Sequence, residues 1–175
     1  LQGSMKAGPA NDKICVGMSC PTLLNFDNFT GVSTNPISLP VSNITGIEFS
    51  SSGRYLYTNS DTTLSGNGSG GLITQFDLSN YNASSIAGSK TVIGFTENTS
   101  SLQIGPDDRI YCWGHDTTYQ ISSQTLSAFY LARIEEPDSG GVACQFNPSV
   151  VFLQGNYIRR GLPQITPNIL GLTFR

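Results

Sequence analysis

A short β-hairpin motif occurs three times in this sequence, and this repeat constrains the fold more than any other feature. The copies run from Ser4 to Gly17, from Gly46 to Asn59 and from Ser101 to Gly114. Each has two alternating apolar residues, a turn rich in Gly, Pro, Ser, Asn or Asp, a basic residue and a second apolar run, which is the pattern of two antiparallel strands. The copies begin about 42 and then about 55 residues apart, a spacing typical of repeated four-stranded units.

A second pair of apolar runs follows each of the first two hairpins. The runs from Thr22 to Gly31 and from Gly71 to Asn80 both contain Phe-Asp, which suggests that Phe26 and Phe76 occupy equivalent places. A further short apolar run comes after each of them. One unit of roughly 45 residues is therefore predicted to hold four strands, which is the composition of one β-propeller blade.

The predicted fold is all-β: a partial β-propeller of about three four-stranded antiparallel blades plus a C-terminal closing segment, within a single domain over residues 1–175. The sequence contains no helical stripe of twelve residues. In the third blade, the third strand is predicted at Ser127 to Ile134, beyond a loop that follows Trp113. The predicted blades cover approximately 4–42, 45–97 and 100–150, and the closing segment covers 150–175.

Composition supports this fold class and excludes some partners. The chain has 19 Gly and 9 Pro, and only 12% of its residues are charged, as expected for a protein with many turns. The net charge of −3 argues against nucleic acid as a partner, because nucleic acid requires a basic surface. No transmembrane run and no signal peptide are evident, so we expect no membrane insertion. The start at Leu1 suggests a processed product, an excised piece or a tag remnant.

The four cysteines leave the redox compartment open. Cys112 and Cys144 belong to one predicted blade and are candidates for a disulfide, and Cys15 and Cys20 are close in sequence. The alternative for the strand residues Cys15 and Cys112 is a small buried thiol. No metal site is expected, because neither local cysteine spacing is a CxxC pair and His115 is the sole histidine.

The order of the motifs resembles a known family. "LLNFDNFTGVSTNPISL", "GIEFSSSGRYLYTNS", "LITQFDLS", "SLQIGPDDRIYCWG", "GGVACQF" and "GLPQITPN" follow one another along the chain. This order is similar to the C-terminal half of the large propeller-like domains in secreted and surface proteins of Bacteroidetes, which often carry type 9 secretion and gliding-motility sorting domains. The resemblance covers nearly the whole chain, and the sorting domain itself is absent from it.

The resemblance implies a secreted or cell-surface protein. It also implies candidate sugar acceptors, because the O-glycosylation signal of these surface proteins resembles Asp-Thr followed by a small apolar residue or Thr. Thr62 and Thr117 lie in two such Asp-Thr-Thr runs, and chance in a Thr-rich chain is the alternative.

Three polar residues are predicted to lie at equivalent places on the innermost strands of the blades. These residues are Lys6, Glu48 and Gln103, each between the two alternating apolar residues of its hairpin. Alternation along a strand turns them away from their apolar neighbours. A polar ring of this kind serves a solvated channel, and we regard Glu48 and Gln103 as candidate ligand-binding residues.

The loop face supplies the other candidate binding residues. Trp113 and Tyr119 are predicted either to stack on sugar rings or to pack between blades. His115 is predicted to lie in the loop after Trp113, where a solvated side chain is the alternative to a functional role.

The predicted function is that of a non-enzymatic interaction, adhesion or scaffold module, with no catalytic residues and no cofactor. Three blades do not close a ring, so the expected partner is another protein chain or the remaining blades of a larger protein, with carbohydrate as a further candidate. Two alternatives stay open. One is a structural subunit of a surface assembly or filament. The other is part of a propeller hydrolase or lyase whose catalytic residues lie in missing blades.

Overall fold

The computed structural model describes residues 4–17, 19–62, 70–96, 101–121 and 124–154, and for residues 115–121 and 124–128 it describes the backbone alone. The described part contains twelve strands and one short α-helix. The elements are β1 (Ser4–Ala7), β2 (Lys13–Gly17), β3 (Thr22–Phe26), β4 (Ser33–Ser38), β5 (Ile44–Phe49), β6 (Tyr55–Asp61), β7 (Gly71–Asp77), α1 (Ala83–Gly88), β8 (Thr91–Thr96), β9 (Gln103–Ile104), β10 (Ile110–Ile121), β11 (Gln124–Ile134) and β12 (Phe146–Phe152).

These strands form three antiparallel four-stranded sheets, each built from four strands that are consecutive in the chain. Blade 1 is β1-β2-β3-β4, blade 2 is β5-β6-β7-β8 and blade 3 is β9-β10-β11-β12. The all-β, three-blade prediction is therefore confirmed. The predicted closing segment, beyond residue 154, lies outside the described residues.

The turn between the first and second strands has the same construction in every blade. Backbone N–H groups of Gly8, Ser50 and Gly105 donate at 2.7 to 2.9 Å to a carbonyl at the start of the second strand or directly before it, those of Lys13, Tyr55 and Arg109. A residue with positive φ completes each turn: Asn11 at 55°, Gly53 at 74° and Asp108 at 60°. Asn, Gly and Asp are the residues that adopt this conformation at least cost, so the turn chemistry fixes the register of each hairpin.

Two hydrophobic clusters lie between the blades. The first joins blade 1 to blade 2 and includes Cys15, Leu23, Ile47, Leu56 and Phe76. The second joins blade 2 to blade 3 and includes residues of both blades, namely Tyr55, Tyr57, Ile73, Leu102, Ile110, Cys112, Ala132, Ile134 and Cys144. Blade 2 therefore has both faces packed against neighbours, blades 1 and 3 each have one, and the main stabilising burial is between sheets.

Each blade has a "predecessor face", defined here as the sheet face that carries the apolar residues beside its first turn. Cross-strand pairing identifies the five equivalent positions, because directly opposed residues of antiparallel strands share a face. They are Met5, Ala7, Ile14, Val16 and Leu24 in blade 1, Ile47, Phe49, Leu56, Thr58 and Phe76 in blade 2, and Leu102, Ile104, Ile110, Cys112 and Ile134 in blade 3.

The connections between the third and fourth strands hold neighbouring blades together. In blade 2 this connection spans residues 78–90, and its Tyr81 hydroxyl donates to the carbonyl of Asn35 in blade 1 at 2.9 Å. In blade 3 it spans residues 135–145. There the Asp138 carboxylate accepts hydrogen bonds from the hydroxyl of Ser51, at 2.8 Å, and from the hydroxyl of Ser52 in blade 2. Both connections thus dock on the blade that precedes their own.

Three details differ from the sequence-based expectation. The second strand of blade 3 does not end at Trp113 but continues to Ile121, and residues 122–123 alone separate it from β11. The predicted blade boundary at residue 150 falls inside β12, which is the fourth strand of blade 3. The helix α1 has six residues, too few to produce a helical stripe, and the Asn82 side chain caps its N-terminus.

Candidate functional site

The three polar residues predicted on the innermost strands converge around one buried carboxylate. The Glu48 side chain on β5 lies 2.6 Å from the Lys6 ammonium on β1, measured from Oε2 to Nζ. The same carboxylate accepts hydrogen bonds from the backbone N–H of Phe49, at 3.0 Å, and of Ile104 on β9, at 2.9 Å. Gln103 lies next to that amide and donates to the carbonyl of Ile104 at 3.0 Å. One carboxylate thus contacts all three blades.

The electrostatics of this cluster are those of a structural ion pair. Glu48 is 1% exposed, so the expectation that it lines a solvated channel is wrong for this residue. Burial raises the pKa of Glu48, and the Lys6 charge and the hydrogen bonds from Lys6, Ile104 and Phe49 oppose that rise. A buried charge is tolerated only with such partners, which makes the triple contact a tie between the inner strands.

A second polar network anchors the connection of blade 3 on blade 2. The Gln75 amide nitrogen donates to the Tyr57 hydroxyl at 2.6 Å and to the carbonyl of Ser139 at 2.8 Å. The Gln75 amide oxygen accepts from the N–H of Gly141 at 2.8 Å, and the Tyr57 hydroxyl donates to the carbonyl of Pro137 at 2.8 Å. These residues could not be identified from the sequence, because no local pattern shows which loop a strand residue will contact.

Three further buried polar side chains of blade 2 have no hydrogen-bond partner among the described residues. They are Thr58 and Thr74, which oppose each other across β6 and β7, and Asn59. Buried hydroxyl and amide groups without partners cost free energy in a folded protein. Burial of these three side chains is therefore expected to lower the stability of the folded protein.

Trp113 packs against an aromatic neighbour within its own blade. Its ring lies 6.4 Å from the ring of Phe129, with an interplanar angle of 81°, an edge-to-face arrangement. This contact lies within blade 3, so it is neither the packing between blades nor the stacking on sugar rings that the sequence predicted for Trp113.

His115, Thr117 and Tyr119 lie on a long hairpin and not in a loop, which corrects the sequence-based expectation. β-branched and aromatic residues extend β10 beyond Trp113, and such residues favour strands. The backbones of β10 and β11 pair from Asp116↔Phe129 to Ile121↔Gln124. In the described part of the chain, β9 pairs with residues 110 and 111 and β12 pairs as far as Tyr130, and the N–H of Leu153 donates to the carbonyl of Phe129 at 2.8 Å. Among the described residues, the outer part of this hairpin, from Thr117↔Ala128 to Ile121↔Gln124, is therefore two-stranded.

The other glycosylation candidate, Thr62, directly follows β6, the second strand of blade 2, and Thr117 lies on β10, the second strand of blade 3. Its hydroxyl is partly buried and donates to the carbonyl of Gly70 at 3.0 Å.

The predicted disulfide between Cys112 and Cys144 is absent, and all four cysteines are free thiols. Cys112 is buried among the apolar side chains of blade 3, and burial raises its pKa to about 12. Burial also raises the pKa of Cys144, partly offset by a hydrogen bond with Tyr57. Both thiols fill space between blades 2 and 3, and protonated thiols of this kind are unreactive.

The described residues contain no cluster of three or more His, Cys, Asp and Glu side chains that is able to hold a metal ion. Within the same ranges, no helix has the length and apolar character needed to cross a membrane.

Fold and site together define an open arc of three consecutive β-propeller blades tied at their inner strands. One solved structure with a similar fold is described as the holo form of the pyranose dehydrogenase PQQ domain from Coprinopsis cinerea, with a TM-score of 0.51 and 14% sequence identity. The match covers 85% of this chain and 41% of that chain, and at this identity it establishes the fold alone. No family model and no curated protein matches the sequence.

Proposed function

We propose that this chain is a non-enzymatic interaction module of a secreted or cell-surface protein, and that the hairpin of blade 3 is its contact element. The order of sequence motifs supports the extracellular setting through the resemblance to Bacteroidetes propeller-like surface domains. The observation that carries the contact element is the two-stranded outer part of β10 and β11.

The geometry of the hairpin favours a binding role. Five register pairs, from Thr117↔Ala128 to Ile121↔Gln124, extend beyond the residues that pair with β9 and β12 in the described part of the chain. At about 3.3 Å per residue, this part is about 17 Å long. A two-stranded hairpin is marginally stable on its own, and its unpaired edges accept further strands or ligands. The candidate residue Tyr119 lies on this segment, and His115 lies on β10 just before it.

The inner strands support a scaffold more than a catalytic centre. The carboxylate of Glu48 is occupied by Lys6 and two backbone N–H groups, which hold the three blades in place. The likeness to a dehydrogenase domain is one of fold and carries no activity to this chain. A filament subunit is the second structural candidate, and the unpaired hairpin edges are what favour it.

Shortening the hairpin tests this proposal. In the shortened variant, Asn-Gly replaces residues 117–128, because this pair forms the two-residue turn that joins antiparallel strands. The matched control is Pro106→Ala, in the turn at the opposite end of the same blade. Binding of native chain and variants is measured on immobilised polysaccharides and on collagen, fibrinogen and mucin, together with the melting temperature and the release of reducing sugars.

We expect retention of the native chain on at least one surface without release of sugar. We also expect an approximately tenfold loss of retention in the shortened variant at an unchanged melting temperature. Equal retention of the shortened variant, or no retention of the native chain on any surface, would contradict the proposal. Release of sugar by the native chain would identify the hydrolase alternative instead.

The extracellular setting has a separate test in the intact mass of the natural product. Glycans on Thr62 or Thr117 would add mass in hexose-like steps, and Thr62→Val and Thr117→Val would each remove one set. A mass equal to that of the polypeptide would contradict glycosylation at these two residues.

A further inference from the structure

The predecessor faces of the three blades are chemically alike but differ in what covers them. In blade 2, Ile47 and Phe76 pack against Cys15 and Leu23 of blade 1. In blade 3, Ile110 and Ile134 pack against Tyr57 of blade 2. The same face thus forms both interfaces between blades: all five of its positions are buried in blade 2, and four of the five are buried in blade 3.

The predecessor face of blade 1 is open. Met5 is 70% exposed, whereas Ile47, at the same position of blade 2, is 3% exposed. Ala7 is exposed, and Ile14 and Leu24 are half-buried. An apolar strand face at this register is covered in the other two blades, so its exposure in blade 1 marks an interaction surface.

The segment that connects the third and fourth strands of blade 1 also exposes apolar side chains to solvent. It spans residues 27–32, between β3 and β4, and the corresponding connections of blades 2 and 3 dock on the preceding blade. Here Phe29 is 94% exposed and Val32 is 54% exposed. The Asp27 carboxylate accepts from the N–H groups of Phe29 and Thr30, at 2.9 and 3.2 Å, and so holds the backbone that presents the Phe29 ring.

We propose that this surface, formed by Met5, Ala7, Ile14, Leu24 and Phe29, binds a further four-stranded β-blade that precedes blade 1 in the assembled propeller. The blade that fits has a largely apolar face without an unpaired charge. Blade 1 shows what such a face looks like: its own side toward blade 2 carries the buried residues Cys15, Leu23 and Ile37, and the charge of Lys6 on that side is paired with Glu48.

A second copy of this chain fits less well. The side of blade 3 that would meet blade 1 of another copy carries Tyr111 and Arg133, which oppose each other on β10 and β11. The Arg133 guanidinium lies over the Tyr111 ring and forms an ion pair with Glu135, at 2.6 Å from Nη2 to Oε1. Covering this ion pair with Met5 and Leu24 would remove both charges from water without new partners.

Thiol labelling tests the proposal directly. Met5→Cys is made in a Cys20→Ser background, because Cys20 is the exposed native thiol. Ile47→Cys in the same background is the matched control, at the equivalent position one blade later. Maleimide labelling rates are measured in the chain alone over a range of concentrations. They are then measured in two tandem chains, in which a duplicate of residues 4–42 or of residues 4–96 precedes residue 4.

We expect fast, concentration-independent labelling of Met5→Cys in the single chain. An upstream blade should slow this labelling about tenfold or more, while Ile47→Cys stays protected throughout. Labelling that slows with concentration in the single chain would identify a second copy as the occupant and overturn the proposal. Unchanged labelling in both tandem chains, or failure of both to fold as judged by exposure of Ile47→Cys, would also overturn it.

Discussion

The predecessor face is covered by a neighbouring blade in blade 2 and is open in blade 1. Comparing the two blades shows what packing between blades contributes to stability. Phe76 and Leu24 occupy the same register position, each opposite the second-strand residue beside the first turn. Phe76 is fully buried against blade 1, whereas Leu24 is half-buried. Both blades nevertheless have four strands and the same turn. The hairpin turns therefore specify a blade, and burial against a neighbour determines how strongly each blade is held.

Shortening the side chain to alanine at the register position shared by Phe76 and Leu24 should give the largest change in the free energy of unfolding. We expect Phe76→Ala to lower the free energy of unfolding by about 3–5 kcal/mol, because it leaves a cavity between two packed sheets. Leu24→Ala should cost about 1 kcal/mol, since that side chain already contacts water. Urea denaturation of both variants measures the difference. Equal losses would show that the two faces are equally covered and would remove the basis of the comparison.

The ion pair that ties the inner strands should give the next largest effect. We expect Lys6→Met to destabilise the fold by about 3 kcal/mol, because it leaves the Glu48 carboxylate buried without its cation. Lys6→Met combined with Glu48→Gln should recover a large part of this loss. Chemical denaturation of the single and double variants provides the measurement.

The loss in Lys6→Met should depend on pH. Burial raises the pKa of Glu48, so the folded state holds this proton more tightly than the unfolded state does. Stability from the protonated form is complete below the ordinary pKa of Glu and is lost as pH rises through the raised folded pKa. Without Lys6, that pKa rises further. Variant and native chain should therefore converge in acid and separate toward neutral pH, and a loss independent of pH would argue against a buried charge.

Removing the Gln75 network should have a smaller and more local effect. We expect Gln75→Leu to cost about 2 kcal/mol, because the carbonyl of Ser139 and the N–H of Gly141 lose their partner. Hydrogen exchange in residues 137–141 should become faster, while exchange in β1 to β4 stays unchanged. A uniform increase in exchange would mean that this connection is not a separate attachment of blade 3 to blade 2.

The smallest effect should be a gain in stability. Thr58 lies where blade 1 has Val16, and its buried hydroxyl has no hydrogen-bond partner in the part of the chain that the structure describes. We expect Thr58→Val to raise the free energy of unfolding by about 1 kcal/mol, since it removes an unsatisfied group and keeps the side-chain shape. Thr74→Val, at the opposed position, is the parallel test, read out by melting temperature. A loss of stability in both variants would indicate that these hydroxyls do have partners in solution.

The sequence predicted the repeated unit because that unit is local. Turn residues such as Gly53 and Asp108 fix each hairpin, and strand alternation then places Lys6, Glu48 and Gln103 at equivalent positions. Contacts between distant segments carry no such local signal. This is why Gln75 and its partners in the connection of blade 3 could not be found, and why Glu48 was expected in water.

The repeated Phe-Asp pair predicted the wrong strand register for one of its two copies. The two Phe-Asp pairs suggested that Phe26 and Phe76 are equivalent, but Ile14 opposes Leu24, while Leu56 opposes Phe76. Leu24 is therefore the counterpart of Phe76, and the sequence match is displaced by two residues. Because side chains alternate with a period of two, this displacement keeps the face correct and changes only the position along the strand.

The central claim is that blade 1 keeps an open predecessor face in the isolated chain. The most direct measurement is the mass of the native chain in solution, determined by light scattering over a range of concentrations. The open face predicts a single species of 18.7 kDa at every concentration. A species of twice that mass that reverts to monomer in Leu24→Lys would contradict the claim, because it would show that a second copy already covers this face.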